Sequence, residues 1–235
     1  MSTAHEVVSR EAWTEARKEL LVREKELNKK RDELSAARRD LPWVEITDNY
    51  MFEGVEGKVT LADLFAGKSQ LIIQHFMFGP DWEEGCPSCS YLADSHDGIN
   101  IHLNQRDINM VVISNGPLDK LVAYKKRMGW AFDWLSSMGT SFNYDFDVSF
   151  SEDDHEKGTG VYNYQPLQRP MSELPGFSCF YKDDDGKIYH TYSTFARGLD
   201  PIISAYQYMD LTAKGRNESE FDFPMAWIRR HDQYE

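Results

Sequence analysis

Leu71-Ile-Ile-Gln-His-Phe-Met-Phe-Gly79, continued by Pro80-Asp-Trp-Glu-Glu-Gly-Cys86-Pro-Ser-Cys89-Ser-Tyr-Leu-Ala-Asp-Ser-His96, sets how the rest of the chain is read. An apolar run of strand length breaks at Gly79-Pro80 and crosses an acidic loop. It ends on two cysteines that open a segment of helical character. The unpaired N–H groups and positive dipole end of a helix N-terminus stabilise a thiolate, so Cys86 is the expected nucleophile. Pro87 suits the first helical turn, where a missing N–H costs nothing. Cys89, one turn on, is placed to resolve a mixed disulfide formed at Cys86. Glu83 and Glu84 oppose the helix dipole, because negative charge near a thiol raises its pKa.

On either side, the pattern alternates strand and helix. Residues 89 to about 104 read as one helix with Leu92, Ile99 and Leu103 on one side. Asp107-Ile-Asn-Met-Val-Val-Ile113 reads as a strand, and Pro117 starts a helix through about Arg127. This order implies a parallel sheet with right-handed crossovers. Upstream, Trp43–Ile46 and Tyr50–Glu53 read as short strands and Val59–Phe65 as a helical turn. Downstream, Phe142-Asn-Tyr-Asp-Phe-Asp-Val148 alternates strictly and reads as a strand. Residues 151 to 175 read as a loop insertion. Gly176–Lys182 and Lys187–Ser193 flank Asp183-Asp-Asp-Gly186 as a β-hairpin. A helix over about 200–209 and a tail packed on the surface complete the chain.

The first forty residues differ in kind. From Ser9 to Asp40 more than half the residues are charged, with no Gly or Pro. Ser9 is the expected N-cap and Pro42 the stop of one long helix. Trp13, Leu20, Leu27, Leu34 and Leu41 recur every seven residues, but Arg23 and Lys30 interrupt the companion positions. The result is one narrow apolar stripe, suited to packing on the chain's own domain or on a second copy as a homodimer. The expected organisation is a helical arm over 1–41 and an α/β domain over 42–235.

Composition removes several classes. Three cysteines, two of them in one Cys-x-x-Cys, do not make a disulfide scaffold. No apolar run approaches the roughly 20 residues that span a bilayer. The N-terminal residues lack the order of a signal peptide, so a cytoplasmic location is expected. A formal charge of −13 argues against nucleic-acid or anionic-membrane partners. Phosphate-binding loops, dinucleotide fingerprints and nucleophile elbows are absent from the sequence.

The stretches Phe78-Gly-Pro-Asp-Trp82, Cys86-Pro-Ser-Cys89, Met128-Gly-Trp130, Phe142-Asn-Tyr-Asp-Phe146, Tyr189-His-Thr-Tyr-Ser-Thr194 with Ala196-Arg-Gly198, and Trp227-Ile-Arg-Arg-His-Asp232 span nearly the whole chain. On them the sequence resembles the bacterial family catalogued as domain of unknown function 899, grouped with thioredoxin-like proteins. The resemblance implies a thioredoxin-like sheet flanked by helices. It also implies thiol–disulfide oxidoreductase chemistry at Cys86 and Cys89 on a protein or small-molecule disulfide, with no cofactor required. One departure concerns the cis-proline that precedes the late hairpin in such folds. Its place falls on Gly176, one residue after Pro175. A peroxiredoxin would carry Thr or Ser three residues before its reactive cysteine, where this chain has Glu83.

The alternative is a metal site. Two thiolates one turn apart suit Cu(I) or Zn(II), and an imidazole completes a Cys2His set. The sequence places His190 on the hairpin, roughly opposite Cys179, as the third ligand with Cys86 and Cys89. Of the remaining candidates, Cys179, His75 and His96 read as packed or hydrogen-bonded core groups, and Trp82, Trp130 and Trp134 as core or pocket wall. Arg197 reads as a salt-bridge residue that doubles as a candidate cation beside the thiol. Asp153, Asp154 and His155 read as a solvated loop.

Overall fold

A computed structural model describes residues 5–235. The chain forms two compact units that meet in sequence at Pro42 and Trp43. The first is one helix, α1 (Arg10–Arg39), whose N-cap Ser9 side chain accepts from the amide of Ala12 at 3.2 Å. No residue of α1 is buried, and its stripe residues Trp13, Leu20, Leu27 and Leu34 are about half exposed.

The second unit runs in chain order through β1 (Val44–Ile46), β2 (Met51–Gly54), β3 (Gly57–Thr60), β4 (Gln70–His75), α2 (Pro87–Asp94), α3 (Asn100–Leu103), β5 (Ile108–Ser114), α4 (Leu118–Met128), β6 (Trp134–Ser136) and α5 (Phe142–Asp145). It continues through α6 (Glu152–Lys157), β7 (Val161–Tyr162), β8 (Gln165–Pro166), β9 (Gly176–Lys182), β10 (Ile188–Phe195) and α7 (Ser204–Met209). Eight strands form one sheet in the order β1-β10-β9-β4-β5-β6-β2-β3. β4 and β5 run parallel, as do β5 and β6, while β9 returns antiparallel to β4 and β10 to β9. This βαβ unit joined to an antiparallel hairpin is the thioredoxin-like α/β fold.

Alternation along β4 divides the core. Leu71 and Ile73 face a cluster with Phe52, Phe65, Phe142 and Phe180. Ile72 faces the other side, toward Leu92, Phe177 and Tyr206. Beyond the end of β4, Phe76, Met77 and Phe78 join Tyr124, Trp130, Phe132, Trp134 and Cys89 in a third cluster, with Trp82 and Cys86 packed against it.

Several expectations change here. Residues 142–148 are not a strand: Phe142 and Phe146 lie one helical turn apart, their rings 4.7 Å from each other and both close to the ring of His75. Burial of that pair outweighs the alternation. The helix read over 89–104 is two, α2 and α3, because the connecting turn reaches Gly98 at φ +81°. The aromatic segment 128–138 contains β6, and the insertion holds α6, closed by a capping box between Ser151 and Asp154. A bulge between His190 and Tyr192 shifts the hairpin, so that His190 pairs with Phe180 and Tyr192 with Cys179.

Candidate functional site

Cys86 is the residue that leads into α2, with φ −56° and ψ 132°. Its amide donates to the Met77 carbonyl at 3.1 Å, which closes the loop 79–85 at its base. Its carbonyl accepts from both the amide and the hydroxyl of Ser90 at 2.9 Å, and that hydroxyl meets the Tyr124 hydroxyl at 2.9 Å. The Cys86 sulfur receives a hydrogen bond from the Cys89 thiol, then from the amides of Cys89 and Ser88, with Arg230 adding positive charge. Together these hold it below the usual thiol range against the opposing effect of burial. Cys89 goes the other way. Burial pushes it up first, then the proton it shares with Cys86, and the charge of Glu173 adds to this. The two neighbouring thiols are thus shifted in opposite directions.

The acidic residues before Cys86 are matched by cations. Glu83 pairs with Lys120 at 2.6 Å, and Glu84 with Arg127 and, at 2.9 Å, with Arg230. Arg230 also donates from Nε and Nη2 to the Gly85 carbonyl at 3.1 and 2.8 Å. Arg127 in turn pairs with Asp232 at 2.6 Å. The expected rise from Glu83 and Glu84 is therefore offset, and the Cys86 thiol is lowered.

Glu173 closes the other side. It is buried and pushed up to about 7 by that burial, although it accepts from Ser149 at 2.7 Å, from Asn115 at 3.1 Å and from Asn143. Tyr162 donates to the Pro175 carbonyl at 2.8 Å and accepts from the Ala196 amide at 3.0 Å, tying the insertion to the end of the hairpin. Among the described residues no peptide bond is cis. Gly176 pairs with His75, and the ring of Phe195 lies where a side chain at position 176 would point.

Residues 2–234 match the family described as "Bacterial protein of unknown function (DUF899)". The chain belongs to that family. No curated protein matches this DUF899 chain. Among solved structures it is similar to peroxidoxin BcpB from Mycobacterium tuberculosis, at 12% identity, 68% of this chain, 93% of that one and a TM-score of 0.45. It is also similar to a mutant of PrxQ from Xylella fastidiosa, at 9% identity, 71% of this chain, 94% of that one and a TM-score of 0.46. A putative protein disulfide isomerase from Bacteroides thetaiotaomicron gives 16% identity, 76% of this chain, 97% of that one and a TM-score of 0.39. At these scores the likeness carries no argument about substrate.

The set Cys86, Cys89 and His190 is not brought together in this DUF899 fold. His190 pairs with Phe180, which pairs with Leu71 at the start of β4, whereas both cysteines lie past its end. The His190 ring packs against Phe146 and Phe180, and its Nε2 lies 2.7 Å from the Ser193 hydroxyl. Among the described residues no group of three or more His, Cys, Asp or Glu side chains is arranged to hold a metal. The residues present do not fit a Cys2His site for copper or zinc.

The other histidine candidates sit in the core, each with one ring nitrogen beside a polar partner. His75 lies 2.8 Å from the Ser178 hydroxyl and His96 2.5 Å from the Gln74 amide oxygen. Arg197 is exposed and pairs with Asp200 at 2.9 Å, so the cation at the thiol is Arg230 instead. Arg230 lies in Trp227-Ile-Arg-Arg-His-Asp232, one of the stretches that carry the family resemblance, and that was its only signal. Glu173 had none, being one acid in a proline-bearing insertion. Among the described residues no helix is long and apolar enough to cross a membrane.

Proposed function

We propose that the protein is a thiol–disulfide oxidoreductase. The observation that carries this reading is the Cys86 sulfur at the start of α2, lowered by the Cys89 thiol and two amides while Cys89 is raised. The Cys86 thiolate attacks one sulfur of a substrate disulfide, breaking the S–S bond and expelling a thiolate that takes a proton from water. Cys89 loses its proton to the Glu173 carboxylate and attacks Cys86. The second substrate thiolate leaves and Glu173 or water protonates it. The substrate gains two electrons and two protons, and the protein ends as a Cys86–Cys89 disulfide. An external dithiol returns it to the start.

The test is a stopped-flow reaction with 5,5′-dithiobis(2-nitrobenzoate). The intact protein releases two thionitrobenzoate ions per chain in a fast phase. Cys89→Ser releases one and keeps a stable mixed disulfide, and Cys86→Ser releases none in that phase. A full fast phase in Cys86→Ser ends the proposal.

The exposed stripe of α1 favours a second copy of this chain as partner. A 30-residue helix with no buried residue leaves Trp13, Leu20, Leu27 and Leu34 open to a homodimer. Light scattering gives a dimer for the intact chain and a monomer for Leu20→Glu/Leu27→Glu. A monomer for the intact chain at all concentrations removes this partner.

A further inference from the structure

A cavity of about 640 Å³ opens on the side of the sheet that carries Ile72. Its floor comes from alternate residues of four strands: Ile72, Met110, Phe177, Cys179, Tyr192 and Thr194. Its walls are the end of α2, the turn and α3 that follow it, and residues 201–208 of the segment leading through α7. The interior is made of buried groups such as Met110, Phe177 and His96, while the rim exposes Ile202 at 45% and Tyr208 at 73%. A volume of this order is that of small-molecule sites, which usually run from roughly 300 to 1,000 Å³.

The chemistry of the lining narrows the ligand. None of the lining residues is Asp, Glu, Lys or Arg. His96, the one titratable imidazole, is pushed down to about 4 by burial, and its Nε2 lies 2.5 Å from the Gln74 amide oxygen. The polar contribution is a few neutral groups near the mouth. Ser204 gives its amide to the Ser95 hydroxyl at 3.1 Å, and Gln207 Nε2 donates one of its two N–H groups to the Asp200 carbonyl at 2.8 Å, which leaves the other N–H and the side-chain carbonyl oxygen for a neutral polar group. With no cation among the lining residues of a chain whose formal net charge is −13, a carboxylate or phosphate has nothing in the lining to pair with.

We propose that this cavity binds a neutral lipophile, a ring or chain compound with one or two hydrogen-bonding groups. It is separate from the thiol site: neither Cys86 nor Cys89 lines it, and its thiol, Cys179, is pushed up to about 11 by burial and acts as apolar wall. The site is independent of the oxidoreductase reading.

The test uses Nile red, a neutral fluorophore, against the anionic 8-anilinonaphthalene-1-sulfonate, on the intact protein. The expected result is saturable Nile red binding at one site per chain, with the anionic probe roughly tenfold weaker. Ile202→Asp, at an exposed rim position, places a charge at the mouth and weakens Nile red by about tenfold. Its Cys86 alkylation rate stays at the parent value, which shows that it folds. Cys179→Phe fills the floor and also lowers binding. Tighter binding of the anionic dye, no saturable Nile red binding, or binding indifferent to both substitutions overturns the proposal. So does Nile red binding that appears only as the chain dissociates on dilution, which makes the occupant a second copy.

Discussion

The amide of Cys86 donates to the carbonyl of Met77 at 3.1 Å, while the amide of Met77 is directed at the sulfur of Cys89. One residue just past the end of β4 thus references both cysteines to the central strand. The intervening loop, including Glu83 and Glu84, is an excursion closed at its base by the Cys86–Met77 hydrogen bond. Arg230, which touches that loop from outside, adds its charge to the lowering that the Cys89 thiol and the Cys89 and Ser88 amides already give Cys86.

Arg230→Ala removes two hydrogen bonds to the Gly85 carbonyl and the positive charge that helps lower Cys86, and leaves Glu84 one partner short. The Cys86 thiol moves up. Alkylation by iodoacetamide near neutral pH slows by roughly threefold to tenfold, and the midpoint of its pH profile rises. Arg230→Lys recovers part of the rate, since it keeps the charge but not the forked geometry. An unchanged profile contradicts this role.

Glu173 carries a pH-dependent cost. Its carboxyl is raised to about 7 in the fold from an ordinary 4.5, so between those values the native state holds a proton that the unfolded chain has lost. Stability is fully present below the lower value and declines as pH rises through the upper one. Denaturant midpoints should show the parent losing on the order of 3 kcal/mol between pH 4.5 and pH 8 relative to Glu173→Gln. The same substitution slows release of the second thionitrobenzoate and spares the first. Parallel stability profiles for the two proteins rule this out.

Gly85→Ala tests the packing beneath the loop. A methyl group there meets Phe76 Cε1 at 2.6 Å and Tyr124 Cε1 at 2.8 Å, rings embedded in the aromatic cluster. Overpacking of this kind costs about 1–3 kcal/mol. It appears as a lower urea midpoint with an unchanged slope.

Ser193 joins a chain of three hydrogen bonds through the core: His75 to Ser178 at 2.8 Å, Ser178 to Ser193 at 2.8 Å, and Ser193 to His190 at 2.7 Å. Ser193→Ala takes the shared partner from both Ser178 and His190, destabilising by about 1–3 kcal/mol in urea unfolding at pH 7. Dithiobis(2-nitrobenzoate) reactivity at Cys86 stays as in the parent, because the chain runs toward the far end of the hairpin.

Elements whose cause is local were legible in the sequence. Ser9 caps α1, Pro87 opens α2, and the turn at Asp183–Gly186 closes the hairpin. What stayed hidden depends on contacts across the chain. Phe142 and Phe146 form a helical turn because both rings pack near His75. The bulge before Tyr192 leaves no mark in a run of β-branched and aromatic residues, so His190 looked closer to the thiols than it is. Glu173 and Arg230 reach the site from 84 and 141 positions beyond Cys89 by numbering (173 − 89 and 230 − 89), and no spacing rule relates them to a Cys-x-x-Cys.

The grip of Arg230 on Gly85 also has a place in time. The ribosome adds Arg230 145 residues after Gly85, so the nascent Cys86 waits through most of translation without its cation. During that interval one of the contributions that lower its thiol is missing. That contribution is complete only once Arg230 has docked on the Gly85 carbonyl and Glu84.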